Sequence, residues 1–469
     1  MTESREQALG SSFVQEAGEG VGTVASLREI ACKAVSRQQA AEYQPSGESE
    51  PVGLGTAQAN GEFDVNDVRV PENLEIVDTV VLSPGRPGLL DVMVRHGDTL
   101  YHVVVGLRAP ADEARFFADC GSPVLGLYED SDGLAVAVDA LDDQEMVTAL
   151  SRFILGSSGI KPARRLPHGL TGTVRKEAFD GDSAVYVIDE TVMCTIIRSL
   201  TAGKNPGIEM LVALDDAGFN NMFAPIATWT RGGYDLGVLQ EYMPGTSSGW
   251  DVALTSLRDL CSAQCAPQDA GADFAPEAYK IGEMLARMHL ALDKAFGRYR
   301  MDMAAFLDGL GKWMVQGATD GDHAGAYQCI QLLGEASVPF YQVRLHGSFD
   351  LNSVRRGEYG WYLGRVVEGA SGGAPLFFSP LYDLATLLLS LHDVALDALA
   401  ERDPLSAGEV GRLVEAWEDR NGRILIKGYL NVAGIVGIVP PQVEYFDALL
   451  HLMKPAVLNG GLPTTSDSS

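Results

Sequence analysis

Apolar residues change their spacing once along this chain, and that change sets what it can fold into. Between residues 74 and 241 they alternate or run in short stretches, broken by His96-Gly97-Asp98, Gly181-Asp182 and Gly232-Gly233. Short apolar stretches between turn residues predict strands. The first are 74–82, 90–95 and 99–107, the last two forming a hairpin, and 184–188, 192–197 and 236–241 follow. Helices are predicted within this region at 139–155 and 208–217. From residue 275 onward apolar positions recur at helical spacing, predicting helices over 278–295, 323–333, 380–399 and 408–433. A β pair at 355–365 interrupts them, and no internal repeat is visible.

The chain has 469 residues, which at roughly 150 residues per domain points to two or three domains. Apolar residues make up 46 % and charged residues 21 %, so most of it can bury a core. Residues 1–64 are rich in Gly, Ser, Ala, Gln and Glu and are expected to form a flexible N-terminal tail. Within them Ser26-Leu27-Arg28-Glu29 is a capping box, followed at helical spacing by Ile30, Ala31 and Ala34, which predicts one short helix. The segments after it are 66–156, a small α+β unit; 170–245, β-rich; 246–455, helical; and 456–469, a second flexible tail. Acidic residues outnumber basic ones 63 to 35, a formal charge of -28. That argues against binding nucleic acid, which takes clustered Lys and Arg, and against docking on anionic lipid. The longest apolar stretch, 429–439, is short of the ~20 residues that span a bilayer. The N-terminus has no basic segment leading into an apolar one, so no secretory signal is expected. Six cysteines, at 32, 120, 194, 261, 265 and 329, form no CxxC pair, and reduced, mostly buried thiols without a zinc site are expected. A cytoplasmic protein is expected from these features.

A β-rich part holding one helix, then a linking strand, then a helical part with a hairpin after His346-Gly347, is the layout of a kinase-like bilobal α+β fold. Particular segments sharpen this. Asn205-Pro206-Gly207-Ile208-Glu209 precedes Leu211-Val212-Ala213-Leu214, and Val238-Leu239-Gln240-Glu241-Tyr242-Met243-Pro244-Gly245 precedes Gly249-Trp250. Gly282-Glu283-Met284-Leu285-Ala286-Arg287-Met288-His289, Leu345-His346-Gly347-Ser348-Phe349-Asp350-Leu351, Ser379-Pro380-Leu381-Tyr382-Asp383-Leu384-Ala385 and Trp417-Glu418-Asp419-Arg420 complete the set. In order and spacing these segments resemble the bacterial maltokinases, relatives of the aminoglycoside phosphotransferases. The resemblance covers about residues 66–455, and 66–156 is similar to the maltokinase N-terminal cap. It implies transfer of the ATP γ-phosphoryl to the anomeric hydroxyl of maltose, and a link between trehalose and glycogen. ATP and Mg²⁺ are the cofactors it implies, and an α-glucan or trehalose-pathway enzyme is a candidate partner.

Phosphoryl transfer is mostly positioning and charge neutralisation, by a strand Lys, a helix Glu, a loop Asp that accepts the hydroxyl proton, and metal-binding side chains. Set against the family pattern, Thr195 occupies the Lys position while Glu209, its usual partner, remains. The family's His-Gly-Asp-aromatic-His-Leu-Gly-Gln becomes His346-Gly347-Ser348-Phe349-Asp350-Leu351-Asn352-Ser353. Ser348 therefore stands for the base and Ser353 for the metal-binding amide, with His346 retained as a brace for the loop. The family's Ile-Asp-Phe-Glu-Gly becomes Arg365-Val366-Val367-Glu368-Gly369, so Val366 replaces a metal carboxylate and Glu368 is kept. The resemblance thus implies a degenerate member, a pseudokinase acting as a binding or regulatory module, with no intact catalytic set and no metal site. The alternative is an active sugar kinase with Asp350 as base, Glu368 as metal ligand and Arg198 or Lys204 as phosphate anchor. Alternation of faces along a strand turns Arg198 away from Thr195. Gln240, Glu241, Tyr242 and Met243 are candidates to meet adenine through their backbone. His289 is read as packed or facing substrate, Asp383 as a capping or pairing residue, and the tryptophans as core or interface.

Overall fold

The hairpin at His96-Gly97-Asp98 is the seed of the first sheet: Gly97 takes φ +61°, a left-handed turn position that suits glycine. In the computed structural model the described residues are 24–42, 73–110, 124–156, 160–162, 172–180, 183–317, 323–364, 376–400 and 407–458. They group into two units. One takes the chain up to Ile208 together with Pro225–Tyr242; the other takes Glu209–Ala224 and most of the chain from Met243 onward.

The first sheet of unit one holds β1 (Leu74–Ser83), β2 (Gly88–His96), β3 (Thr99–Arg108), β4 (Val124–Asp130) and β5 (Gly133–Asp139), in the order β1-β2-β3-β5-β4, antiparallel throughout. Helix α1 (Leu27–Glu42) contributes Ile30, Ala31, Cys32, Ala34 and Val35 to the same core as Val92, Val94, Val103 and Val105. This corrects the expectation of a flexible tail for 27–42. The capping box forms as read, with Ser26 N donating to Glu29 Oε2 at 2.6 Å, and the small apolar face it starts is fully buried. Residues 1–23 and 43–64 lie outside the described residues. Helix α2 (Gln144–Gly156) begins five residues later than the spacing suggests. Asp139 caps a short 3₁₀ turn over Ala140–Asp142, and Asp143 then accepts the amide of Glu145 at 3.0 Å.

The second sheet runs β6-β11-β12-β9-β8-β7, with β6 (Ile160–Pro162), β7 (Val174–Asp180), β8 (Ser183–Ile188), β9 (Val192–Ile197), β11 (Pro225–Arg231) and β12 (Tyr234–Glu241). Between β9 and β12 the backbones approach so closely that a Cβ on Gly237 would sit 2.5 Å from the Thr195 carbonyl. After β9 the chain steps straight into β10 (Ser199–Leu200), which pairs with Tyr101 and Leu100 of β3 in the first sheet. Side chains lock this step. Buried Arg198 meets Asp139 at 3.1 Å, and His102 Nδ1 donates to the Ile197 carbonyl at 2.7 Å. His102 Nε2 lies 3.1 Å from Asp91, whose other oxygen is 2.7 Å from Arg231. The segment 66–156 and most of 170–245, read separately in the sequence, therefore lie together in one unit, while Glu209–Ala224 and the residues from Met243 belong to the other.

Unit two is mainly helical. It holds most of α3 (Pro206–Ala217), then α4 (Gly249–Ala263), α5 (Ala275–Phe296), α6 (Met303–Gly317), α7 (His323–Gly334), α8 (Leu381–Ala400), α9 (Ala407–Leu430) and α10 (Val443–Leu458). Two small antiparallel sheets complete it. One orders β13 (Ser247–Ser248), β16 (Val354–Gly357) and β17 (Gly360–Leu363); the other orders β14 (Tyr299–Arg300), β15 (Tyr341–Arg344) and β18 (Phe377–Phe378). Helices α5 and α9 touch backbone to backbone. A Cβ on Gly282 would fall 2.1 Å from the Leu425 carbonyl, and one on Gly428 2.1 Å from the Tyr279 carbonyl. Among the described residues no helix is long and apolar enough to cross a membrane.

Candidate functional site

In unit two, β15 runs into Leu345-His346-Gly347, and Asp383 stands in the first turn of α8. Gly347 at φ +95° turns the chain so that two successive amides face one carboxylate. His346 N donates to Asp383 Oδ2 and Gly347 N to Oδ1, both at 2.9 Å. His289 Nε2 reaches Oδ2 at 3.1 Å, while its Nδ1 is 2.9 Å from the Tyr429 hydroxyl. Asp383, His289 and Tyr429 are wholly shielded from water. Burial pushes the Asp383 carboxyl upward, but the His289 contact, the nearby His346 and the Gly347 amide outweigh it and leave it below the usual Asp range. Tyr429 is pushed well above the ordinary phenol value, by burial first and then by the Asp383 charge. An ionised, desolvated carboxylate thus fixes the start of the loop through its backbone. The sequence reading gave Asp383 a cap or a pair within the helical part; its partners at residues 289, 346 and 347 lie there, too far along the chain for a local pattern to name them.

The loop after Gly347 closes on itself. Ser348 is exposed. Asp350 Oδ1 accepts from Ser353 N at 2.8 Å and lies 2.7 Å from Ser353 Oγ, which is also 3.0 Å from the Ser348 carbonyl. Leu351 N donates to Ser390 Oγ at 3.0 Å, and the His346 ring meets Phe349 edge-on at 5.5 Å. Ser348, Asp350 and Ser353 are therefore brought together, with Ser353 serving as a fastener. A serine hydroxyl is a poor proton acceptor near neutral pH.

In unit one, Thr195 sits mid-strand in β9 between Val185 and Val238. It is fully buried, and its hydroxyl has no hydrogen-bond partner among the described residues. Next to it, burial pushes the Cys194 thiol up to about 12, so it stays protonated. Arg198 is committed to Asp139, and Lys204 is exposed. Gln240 is buried on β12 opposite Met193, and Glu241 pairs with Val192. The Tyr242 amide donates to the Thr191 carbonyl at 2.8 Å and its hydroxyl accepts from Arg175 at 3.2 Å. The Tyr242 amide, among the backbone donors considered for adenine, is therefore taken up within unit one. Met243 belongs to unit two, where its Sδ lies against Gly357.

Glu209 lies half-buried in the first turn of α3. Val366 and Glu368 lie outside the described residues. Among the described residues no three His, Cys, Asp or Glu side chains gather in a way that could hold a metal ion. Thr195, Ser348 and Ser353 are uncharged side chains. Trp417 is core, stacked on Phe274 at 5.6 Å with its ring nitrogen donating to Ser256 at 3.0 Å. Trp229 and Trp361 are buried as well.

No protein-family model matches the chain. Solved structures of a glucosamine kinase are similar to it. Crystal form A aligns over 93% of this chain and 93% of that one, at 19% identity and a TM-score of 0.57. The complex with glucosamine, ADP and inorganic phosphate aligns over the same shares, at 18% identity and a TM-score of 0.58. At such identity the likeness speaks for architecture alone. Taken with the helices and antiparallel sheets above, it shows that this chain has a kinase-like α+β fold.

Proposed function

We propose that this chain is a sugar-kinase-like protein that has lost phosphoryl transfer and serves as a binding or regulatory module. The observation that carries this reading is the state of Asp350. It is the one carboxylate between His346 and Ser353, and Ser353 holds it inside the loop. Thr195 in its apolar setting and Ser348 at the base position support the same conclusion, because transfer takes a cation on the phosphates and a proton acceptor at the hydroxyl. The Asp383 anchor that positions the loop persists, so what is lost is chemistry and what is kept is shape.

The ligand class we propose is a small sugar or a nucleotide held without turnover. The maltokinase resemblance suggests maltose, with an α-glucan or trehalose-pathway enzyme as partner. The glucosamine kinase crystallised with glucosamine and ADP makes an amino sugar and ADP the comparison ligands. Purified protein incubated with ATP, Mg²⁺ and either maltose or glucosamine is expected to yield no sugar phosphate by mass spectrometry. Turnover of about 1–100 per second, ordinary for kinases, overturns the proposal. A ligand that binds only the folded state raises Tm, so a shift with ADP, maltose or glucosamine under the same conditions identifies what is held.

A further inference from the structure

His289 sits in α5 with both ring nitrogens engaged and its ring shielded from water. Nε2 lies 3.1 Å from Asp383 Oδ2, and Nδ1 lies 2.9 Å from the Tyr429 hydroxyl. An ionised carboxylate can only accept, so Nε2 carries the proton between them. On the far side of the ring stands the phenol of Tyr429, in the last turn of α9 and edge-on to the imidazole at 5.8 Å. A phenol in a dry interior keeps its proton. A ring whose own proton is on Nε2 has a lone pair at Nδ1 to receive it. In the other tautomer His289 would aim a lone pair at the Asp383 charge. The backbone keeps Tyr429 within reach. Gly282 and His289 are seven residues apart on α5, hence on one face, and a Cβ on Gly282 would fall 2.9 Å from the Tyr429 nitrogen.

We infer that Tyr429 is a positioning residue for the loop: its hydroxyl donates to His289 Nδ1 and holds the ring proton on Nε2, where it serves the carboxylate that fixes the His346 and Gly347 amides. An ordered series of hydrogen bonds within unit two thus joins the last turn of α9 to the start of the loop, from Tyr429 through His289 and Asp383 to the backbone. Tyr429 acts through this series and not on a ligand. The inference does not rest on the proposed loss of phosphoryl transfer, because the series ends on backbone amides whatever residue 348 is.

Two measurements on the full chain test it. The first is the nitrogen NMR spectrum of the histidine rings, in which the His289 signals are those lost in His289→Gln and displaced in Tyr429→Phe. In the parent they are expected to show a protonated Nε2 and a bare, hydrogen-bonded Nδ1. The second is amide exchange, the readout that a merely local packing role would not move. Tyr429→Phe keeps the ring and removes the hydroxyl, and is expected to speed exchange at His346 and Gly347 about five- to tenfold, the worth of one buried hydrogen bond. The double variant should exchange there no faster than His289→Gln alone. Gly422→Ala, also on α9, is the control and should leave both amides as they are. A proton on Nδ1 in the parent, or a Tyr429→Phe protein whose faster exchange is confined to α5 and α9, overturns the inference. If one variant does not fold, the other still assigns the ring and the parent spectrum decides. None of these outcomes depends on whether a sugar phosphate is formed, so the two proposals fail separately.

Discussion

Asp383 takes three donors at once, two of them backbone amides of the loop, and its charge is the cheapest way to satisfy them without water. Removing it with Asp383→Ala strands those donors in a dry interior. The expected loss is roughly 3–5 kcal/mol of unfolding free energy, measured by urea denaturation at pH 7. The pH dependence follows from the direction of its shift. A carboxyl held below its unfolded value contributes fully above the ordinary Asp range near about 3.9 and loses that contribution as pH falls through the lower folded value. The gap between parent and Asp383→Ala should therefore be constant from pH 7 down to about 5 and shrink below about 4. Much of the loop was legible as residue types: Ser348 and Ser353 stand out against a family pattern by identity alone. What Ser353 does was not legible, because a hydroxyl that turns back onto Asp350 has the same one-letter code as one that faces solvent.

Strands were legible where short apolar stretches, buried on both faces, end at turn residues. The strands predicted at 184–188 and 192–197 appear as Ser183–Ile188 and Val192–Ile197, and the hairpin around Gly97 forms as read. Helix α1 was legible as a helix through its cap, but not as core, because its composition is polar overall and its buried face carries mostly small residues beside Ile30 and Val35. Helix α10 was missed: it carries Pro455 inside, which reads as a break. Helix α4 was missed although Ser248 and Asp251 mark its start. The contact between α5 and α9 depends on the absence of side chains, so it makes a sharp prediction. Gly282→Ala gains helix propensity but drives a methyl into the Leu425 carbonyl, and a net loss of about 1–3 kcal/mol is expected. Gly422→Ala on the same helix pair, 3.5 Å from a Leu388 methyl, is the control and should leave Tm unchanged or raise it.

At the scale of the whole molecule, the order of strands and helices told the fold class, since a β-rich part followed by helices has few kinase-like arrangements to choose from. The grouping of 66–156 with 170–245 was not told, because it rests on contacts between residues such as Arg198 and Asp139 that lie 59 positions apart. Arg198→Ala leaves a buried carboxylate without its cation. Roughly 3–5 kcal/mol should be lost, and amides of β3 and β9 should gain exchange rate together, because one unit holds both.

A single residue separates the last position of β9 from the first of β10, so the backbone crosses from one sheet to the other without slack. The stretch 74–156 is thus no cassette that a lineage could discard or trade. Its excision would rob Ser199 and Leu200 of the ladder they complete and would uncover Arg198 at the same stroke. Single side chains can change one at a time, but the two sheets had to be passed on as a single heirloom.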